Sequence, residues 1–434
     1  MSWNRLSPGS PVSWPSKWRT APLWSMFERV KDVGHPCEEL LSVYRDHGVV
    51  KRQGREDNFN KAALDRKIYQ LIHPGWLAIN RMKAWQGSVG ISPYRGIVSG
   101  HYICFRPNHS EDNRFLNWLL RSAPYAAEYS SLSRGVRPNQ VEIDNEWLQT
   151  LLVKLPPLES QRRIADFLDV ETSRIDRLIK VRQGQISLLE ERSDGLIFDA
   201  IRGSEESARS ESGLAWLGSI PTGWAIMPVG FQFEVLLGKM LNQENVRGSD
   251  LLPYLRNTNV QWDRITTDDL LLMNFPPEEH RRYAVRSGDL LVCEGGEPGR
   301  AAIWDGRVSE IYYQKALHRV RPRGYSSPRW LFYCLRAATA QNVFAVEGNT
   351  TTISHLTGEQ LRAHRFPFPS REVQDRLVAQ LDAAALRQEN LIAAFRRQLA
   401  LLVERRQALI TAAVTGQFDV STASGRNVTD GVQP

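Results

Sequence analysis

Two stretches of the chain place their apolar residues at alternating steps of three and four. Ile175, Ile179, Arg182, Ile186, Leu189, Ser193, Leu196 and Ala200 form the first stripe. Gln388, Ile392, Phe395, Leu399, Leu402, Arg406, Leu409 and Ala413 form the second. This spacing is the seam of a coiled coil. Each stretch opens on prolines, Leu155-Pro156-Pro157 and Phe366-Pro367-Phe368-Pro369, which end the preceding element and suit the turn into a helix. The pattern predicts two helices of roughly 45 residues, about 65 Å long at 1.5 Å per residue. Gly184 and Gly195 each cost the first helix about 1 kcal/mol relative to alanine, so seam packing has to support it. Because the stripes match in length and phase, the two helices are expected to pair with each other, antiparallel, in preference to pairing with a second chain.

The stripes belong to an internal repeat. At a fixed offset of 213 residues Pro156 meets Pro369, Glu159 meets Glu372, Gln161 meets Gln374 and Arg163 meets Arg376. Leu168-Asp169 meets Leu381-Asp382, Glu191-Arg192 meets Glu404-Arg405, and Gly203 meets Gly416, all without a gap. Before the helices the match loosens. Gly135 still aligns with Gly348, but Pro15-x-x-Trp18 matches Pro221-x-x-Trp224 at an offset of 206. The helices kept their length while the segments before them diverged.

Those segments mix short β-type runs, such as Trp76–Ile79, Tyr102–Phe105 and Asp289–Val292, with helical patches at Arg114–Arg121 and Pro328–Arg336. The expected fold is α+β: two globular domains separated by two long helices packed as an antiparallel coiled coil, with an internal pseudo-twofold repeat. The boundaries predicted are a first domain over 1–155, a central helix over 156–205, a second domain over 206–368, a C-terminal helix over 369–418 and a flexible tail over 419–434.

With 42% hydrophobic and 24% charged residues among 434, the chain can bury a core. Its net charge of +7 favours an anionic partner. The four cysteines, Cys37, Cys104, Cys293 and Cys334, form no C-x-x-C pair and fit buried thiols in a reducing compartment. The nine histidines form no metal-binding spacing. No apolar run reaches the roughly 18 residues of a membrane span, and the first residues lack the apolar centre of a signal peptide. A cytoplasmic protein is expected.

Catalytic motifs fail one by one. There is no G-x-x-x-x-G-K-[ST] loop and no G-x-S-x-G elbow. Asn274-Phe275-Pro276-Pro277 has the wrong order for an amino-methyltransferase, and Gly295–Arg300 reads as a tight turn after a strand. Neither catalytic residues nor a metal or cofactor are expected in this chain. Polar, cationic and aromatic loops are the better candidates. In the first domain these are Asn80, Arg81, Lys83 and Trp85, with Arg134, Arg137 and Asn139; in the second, Arg256, Asn257 and Asn259, Arg300, and Asn349, Thr350 and Thr352. Arginine and asparagine suit bidentate contacts with guanine and adenine edges, and small hydroxyls suit phosphates. A coiled-coil adaptor whose ends bind proteins is the competing reading.

The helix opening Leu155-Pro-Pro-Leu-Glu-Ser-Gln-Arg-Arg-Ile-Ala-Asp-Phe-Leu-Asp169 resembles the conserved region of type I restriction–modification specificity subunits. Ser212–Trp224 and Gly288–Arg300 resemble the entry and middle of their target recognition domains, and the likeness runs from about Trp14 to Phe418. The second opening, Phe366–Gln374, departs by losing the leucine after its second proline. The resemblance implies that each domain reads half of a split double-stranded DNA target. It implies that the helices fix the spacer and dock two modification subunits carrying S-adenosylmethionine, joined by restriction subunits that use ATP with Mg.

Overall fold

A computed structural model describes residues 14–52, 66–135, 141–243, 245–346, 355–417 and 419–420. Two helices dominate it, a central one over Leu158–Arg202 and a C-terminal one over Arg371–Val414. The chain divides into two compact units, Met1–Arg182 with Arg396–Pro434, and Gln183–Phe395. The division falls inside both helices, so each unit owns a piece of each.

In the first unit Ile164, Ala165, Leu168 and Ile175 of the central helix share one core with Leu409, Ile410, Ala413 and Val414 of the C-terminal helix. The two run antiparallel: Asp176 bonds Arg406, whereas Ile164, earlier in its helix, shares a cleft with Gly416, just past the end of the other. In the second unit Ile197 and Ile201 pack in one core with Leu381. The long helices therefore pack together as the stripes require, in an α+β fold.

Along the seam Ile175, Ile392 and Leu409 are buried, and Ile179, Ile186, Leu189, Phe395, Leu399 and Leu402 half-buried. Leu196 is the exception. It is 43% exposed, and Ile197, at 3%, takes its place in the core. The reason is helical drift. A strict seven-residue repeat falls behind a 3.6-residue helix by about 20° per heptad. Three heptads after Ile175, Leu196 lags that face by about 60°, while Ile197 leads it by about 40°.

Both helices end on a left-handed glycine, Gly203 at φ +59° and Gly416 at φ +69°, the backbone that closes a helix and favours glycine. A Cβ on Gly203 would lie 2.5 Å from Pro221 and 3.0 Å from Trp224; one on Gly416 would lie 2.7 Å from Pro15 and 2.8 Å from Trp18. The two Pro-x-x-Trp motifs are therefore seats for the helix ends.

The globular parts repeat one core design. In the first unit the antiparallel order is Phe27–Val30, Tyr102–Pro107, Leu77–Asn80, Val89–Ile91; in the second it is Phe233–Leu237, Leu317–Pro322, Leu290–Cys293, Ala301–Ile303. A helix follows the second of these strands in the order, Asn113–Arg121 capped by Asp112, or Pro328–Ala340 capped by Ser327. Around this core the units differ. The first adds the hairpin Leu41–Tyr44 with Gly48–Lys51, and the second adds a sheet of Leu251–Leu255, Leu271–Asn274 and Tyr312–Tyr313. Cys104, Cys293 and Cys334 are buried as expected, but Cys37 is exposed, its short surface segment offering no core to enter. Burial pushes the Cys104 thiol up to about 12 and that of Cys293 up to about 11.

Candidate nucleic-acid interface

In both units the candidate loop is the turn between the same two strands. In the first unit it joins Leu77–Asn80 to Val89–Ile91, and in the second Leu290–Cys293 to Ala301–Ile303. A hairpin tip projects side chains while the sheet fixes its base.

In the first unit Asn80 ends its strand and folds the turn, its Oδ1 accepting the Met82 N–H at 3.1 Å. Trp85 is held to the turn by donating Nε1–H to Met82 O at 3.1 Å. Arg81 donates to Glu142 at 3.1 Å, and its Nε is buried without a partner among the described residues. Lys83 is exposed. The short strand Glu142–Ile143 pairs with Ser133–Arg134, setting Arg134 opposite Glu142. Arg134 then stacks on Trp147 at 4.7 Å and lies 3.7 Å from Asp144. Folding thus gathers Arg81, Lys83 and Arg134, separated in sequence, along one edge. A guanidinium flattened on an indole keeps its N–H edge free for bidentate contacts.

In the second unit the turn Arg256–Asn259 docks onto the hairpin tip Glu294–Arg300. Asn257 donates to Gly295 O at 2.9 Å, and Arg300 donates to Asn257 O at 3.2 Å. Asn259 is 1% exposed and its amide is fully used inside the turn. It accepts from Arg256 N–H at 2.9 Å and donates to Asp269 at 2.7 Å, so it shapes the loop rather than presenting an edge to DNA. Arg256 also bonds the Asp269 carboxylate. Glu297 holds Trp262 Nε1 at 2.8 Å and lies 3.5 Å from Arg300. Asn257 Oδ1 and Arg300 Nε are buried and unpartnered among the described residues, polar atoms of the kind that a ligand satisfies. Arg137, Asn139, Asn349, Thr350 and Thr352 lie outside the described residues.

Two sets of residues escaped the sequence reading. Arg281 and Arg282 end the helix Pro277–Tyr283, placing cations near the second unit's added sheet; the run Glu-Glu-His-Arg-Arg carries that signal. The others, Gln161, Asp169, Gln374 and Asp382, tie each globular part to its helix, and their signal was the ungapped repeat itself. Among the described residues no three His, Cys, Asp or Glu side chains gather as a metal site, and no helix is long and apolar enough to cross a membrane.

Residues 46–190 match the type I restriction modification DNA specificity domain. Over 94% of its length the chain is 22% identical to a protein of Methanocaldococcus jannaschii provisionally named the type I restriction enzyme MjaX specificity subunit, 95% of which is covered. Over 49% of its length it is 21% identical to the type I restriction enzyme StySPI specificity subunit of Salmonella potsdam, covering 47% of that protein. Its fold is that of a chain solved in work on complex assembly and conformational transition of the type I R-M system (TM-score 0.70, 18% identity, 94% of this chain and 100% of that one). The HsdS subunit from Thermoanaerobacter tengcongensis is also similar (TM-score 0.51, 18% identity, 94% and 99%).

Proposed function

We propose that this chain is the DNA-recognition subunit of a type I restriction–modification complex. The carrying observation is the DNA specificity domain over residues 46–190 together with the same strand order rebuilt in the second unit. The domain over 1–155 reads one half of a bipartite target and the domain over 206–368 reads the other. Arg81, Lys83, Arg134, Arg256 and Arg300 supply base and phosphate contacts, and the helices over 156–205 and 369–418 set the spacer. A protein-binding adaptor is not favoured, because the specificity domain occupies the first globular part.

The chain itself performs no chemistry. Two modification subunits bring S-adenosylmethionine and methylate adenine after flipping it from the stack. Restriction subunits bring ATP and Mg, and the assembly works in the cytoplasm. Support for two equivalent partners comes from exposed leucines at repeat-related positions, Leu178 with Leu391 and Leu188 with Leu401. Apolar positions left in water twice over, at the same places of a repeat, mark one kind of contact made twice.

The test is to co-express the chain with the methyltransferase encoded beside it and map methylated adenines across the genome. A bipartite motif with one constant spacer is expected. Methylation lacking such a motif overturns the reading.

A further inference from the structure

The glutamine and aspartate that the repeat holds in register do the same work in both units. Gln161 is fully buried. Its Oε1 accepts the Asp112 N–H at 3.0 Å, and its Nε2 donates to Pro156 O at 2.9 Å and to Glu111 at 2.5 Å. Gln374 is buried alike: it accepts the Ser327 N–H at 2.9 Å and donates to Pro369 O at 2.9 Å and Ser326 Oγ at 3.4 Å. Asp112 and Ser327 are the N-caps of the two domain helices. Each glutamine therefore grips the N-cap of a domain helix and the proline ahead of its own helix.

A second attachment follows eight residues later, about 12 Å along the helix. Asp169 accepts Trp118 Nε1–H at 2.8 Å and Arg114 Nη1–H at 3.2 Å. Asp382 accepts Arg329 Nε–H at 2.8 Å and the Tyr333 hydroxyl at 2.5 Å. The apolar contacts beside them, Leu168 in one unit and Leu381 in the other, hold a domain against its helix but have no direction. A single directional attachment still permits a pivot. Two, separated by about two turns, fix the angle.

We infer that Gln161 with Asp169, and Gln374 with Asp382, are positioning residues that set the angle of each DNA-reading domain on its long helix and so hold the spacer to one length. This rests on the function proposed above. In the variant Gln374→Met with Asp382→Ala, methionine keeps the glutamine's volume and alanine removes the oxygen that accepts both Arg329 and Tyr333, so the directional bonds are lost on the second domain alone.

The variant chain, co-expressed with its methyltransferase, is compared with wild type by genome-wide methyladenine mapping and by thermal melting. The expected result keeps both half-sites and adds spacers one base pair longer or shorter, methylated within about tenfold of the original. Retention of the single wild-type spacer overturns the inference, whether methylation stays full or falls uniformly, since a merely structural role lowers the yield without broadening the spacer. If the double variant does not melt cooperatively, Asp382→Ala alone is read by the same two outcomes. A wild-type chain giving no bipartite motif refutes the proposed function instead.

Discussion

Arg406 sits in the helix seam, 8% exposed, and donates to Asp176 of the opposite helix at 2.9 Å and 3.4 Å. It also reaches Asp46 O at 3.5 Å, but a further neighbour is unfavourable: burial, and then Arg406, pull Arg121 down to about 10. Asp176→Ala therefore leaves a buried guanidinium facing another cation. Stripping one partner from a fully buried pair costs about 3–5 kcal/mol, and an exposed pair contributes under about 1 kcal/mol. The Asp176 side chain is half exposed, which places the loss at about 1.5–2.5 kcal/mol. Arg406→Met behaves differently, because the stranded carboxylate reaches water and Arg121 is relieved; its cost is within about 1 kcal/mol of zero. The double variant should match Arg406→Met, giving a coupling equal to the whole cost of Asp176→Ala, about 1.5–2.5 kcal/mol. Hydrogen exchange across residues 172–180, with urea unfolding of all four proteins, measures each corner of the cycle. Asp176→Ala within 0.5 kcal/mol of wild type (about the additivity error), or a double variant weaker than Asp176→Ala, refutes the reasoning.

Glycines separate into two kinds. Gly184→Ala and Gly195→Ala enter open space inside a helix and should each stabilise by about 1 kcal/mol, whereas Gly203→Ala and Gly416→Ala meet proline and tryptophan at positive φ and should destabilise by more than about 1 kcal/mol; urea unfolding ranks them. At the seam, Ile197→Ala should cost about 2–4 kcal/mol and Leu196→Lys under about 0.5 kcal/mol, an order that chemical denaturation would reverse if Leu196 were the core residue. Burial holds His109, beside Glu111, and His318, between Glu294 and Arg362, below the ordinary 6.5. The folded chain then binds fewer protons than the unfolded one just below that pH. Stability should be full above about 6.5 and fall as the solution is acidified through each lowered value. His318 Nε2 donates to Leu356 O at 2.8 Å, a bond glutamine can keep, so His318→Gln should flatten the melting temperature against pH between 7.5 and 5.5, a window bracketing the ordinary histidine value.

The helices were legible because one side of each must meet the same kind of surface for turn after turn, so a period survives divergence. The period alone misassigned Leu196, since three-and-four stepping describes a supercoil and not the straighter stretch that buries Ile197. Strand positions such as Leu77–Asn80 and Leu290–Cys293 were visible as apolar runs. Loop function was less visible. Arg256-Asn257-Thr258-Asn259 reads as four polar residues, and nothing in their order says that Asn259 turns inward to cap while Thr258 stays outside. Nor does sequence spacing announce that Arg81 and Arg134 both come to lie beside Glu142, because a local strand pair sets Arg134 opposite it while a side-chain bond brings in Arg81 from 61 residues away.

The glycine seats carry a consequence for gene architecture. Gly203 reaches Pro221 and Trp224 through a short run of peptide bonds, while Gly416 meets Pro15 and Trp18 across almost the whole length of the chain. The same joint is thus closed once by the chain and once by packing, and the order of elements is cyclic: domain, helix, domain, helix, and back. A circular permutant opened between Gly203 and Pro221, with a linker from Gly416 to Pro15, would present every seat, seam and strand pairing again.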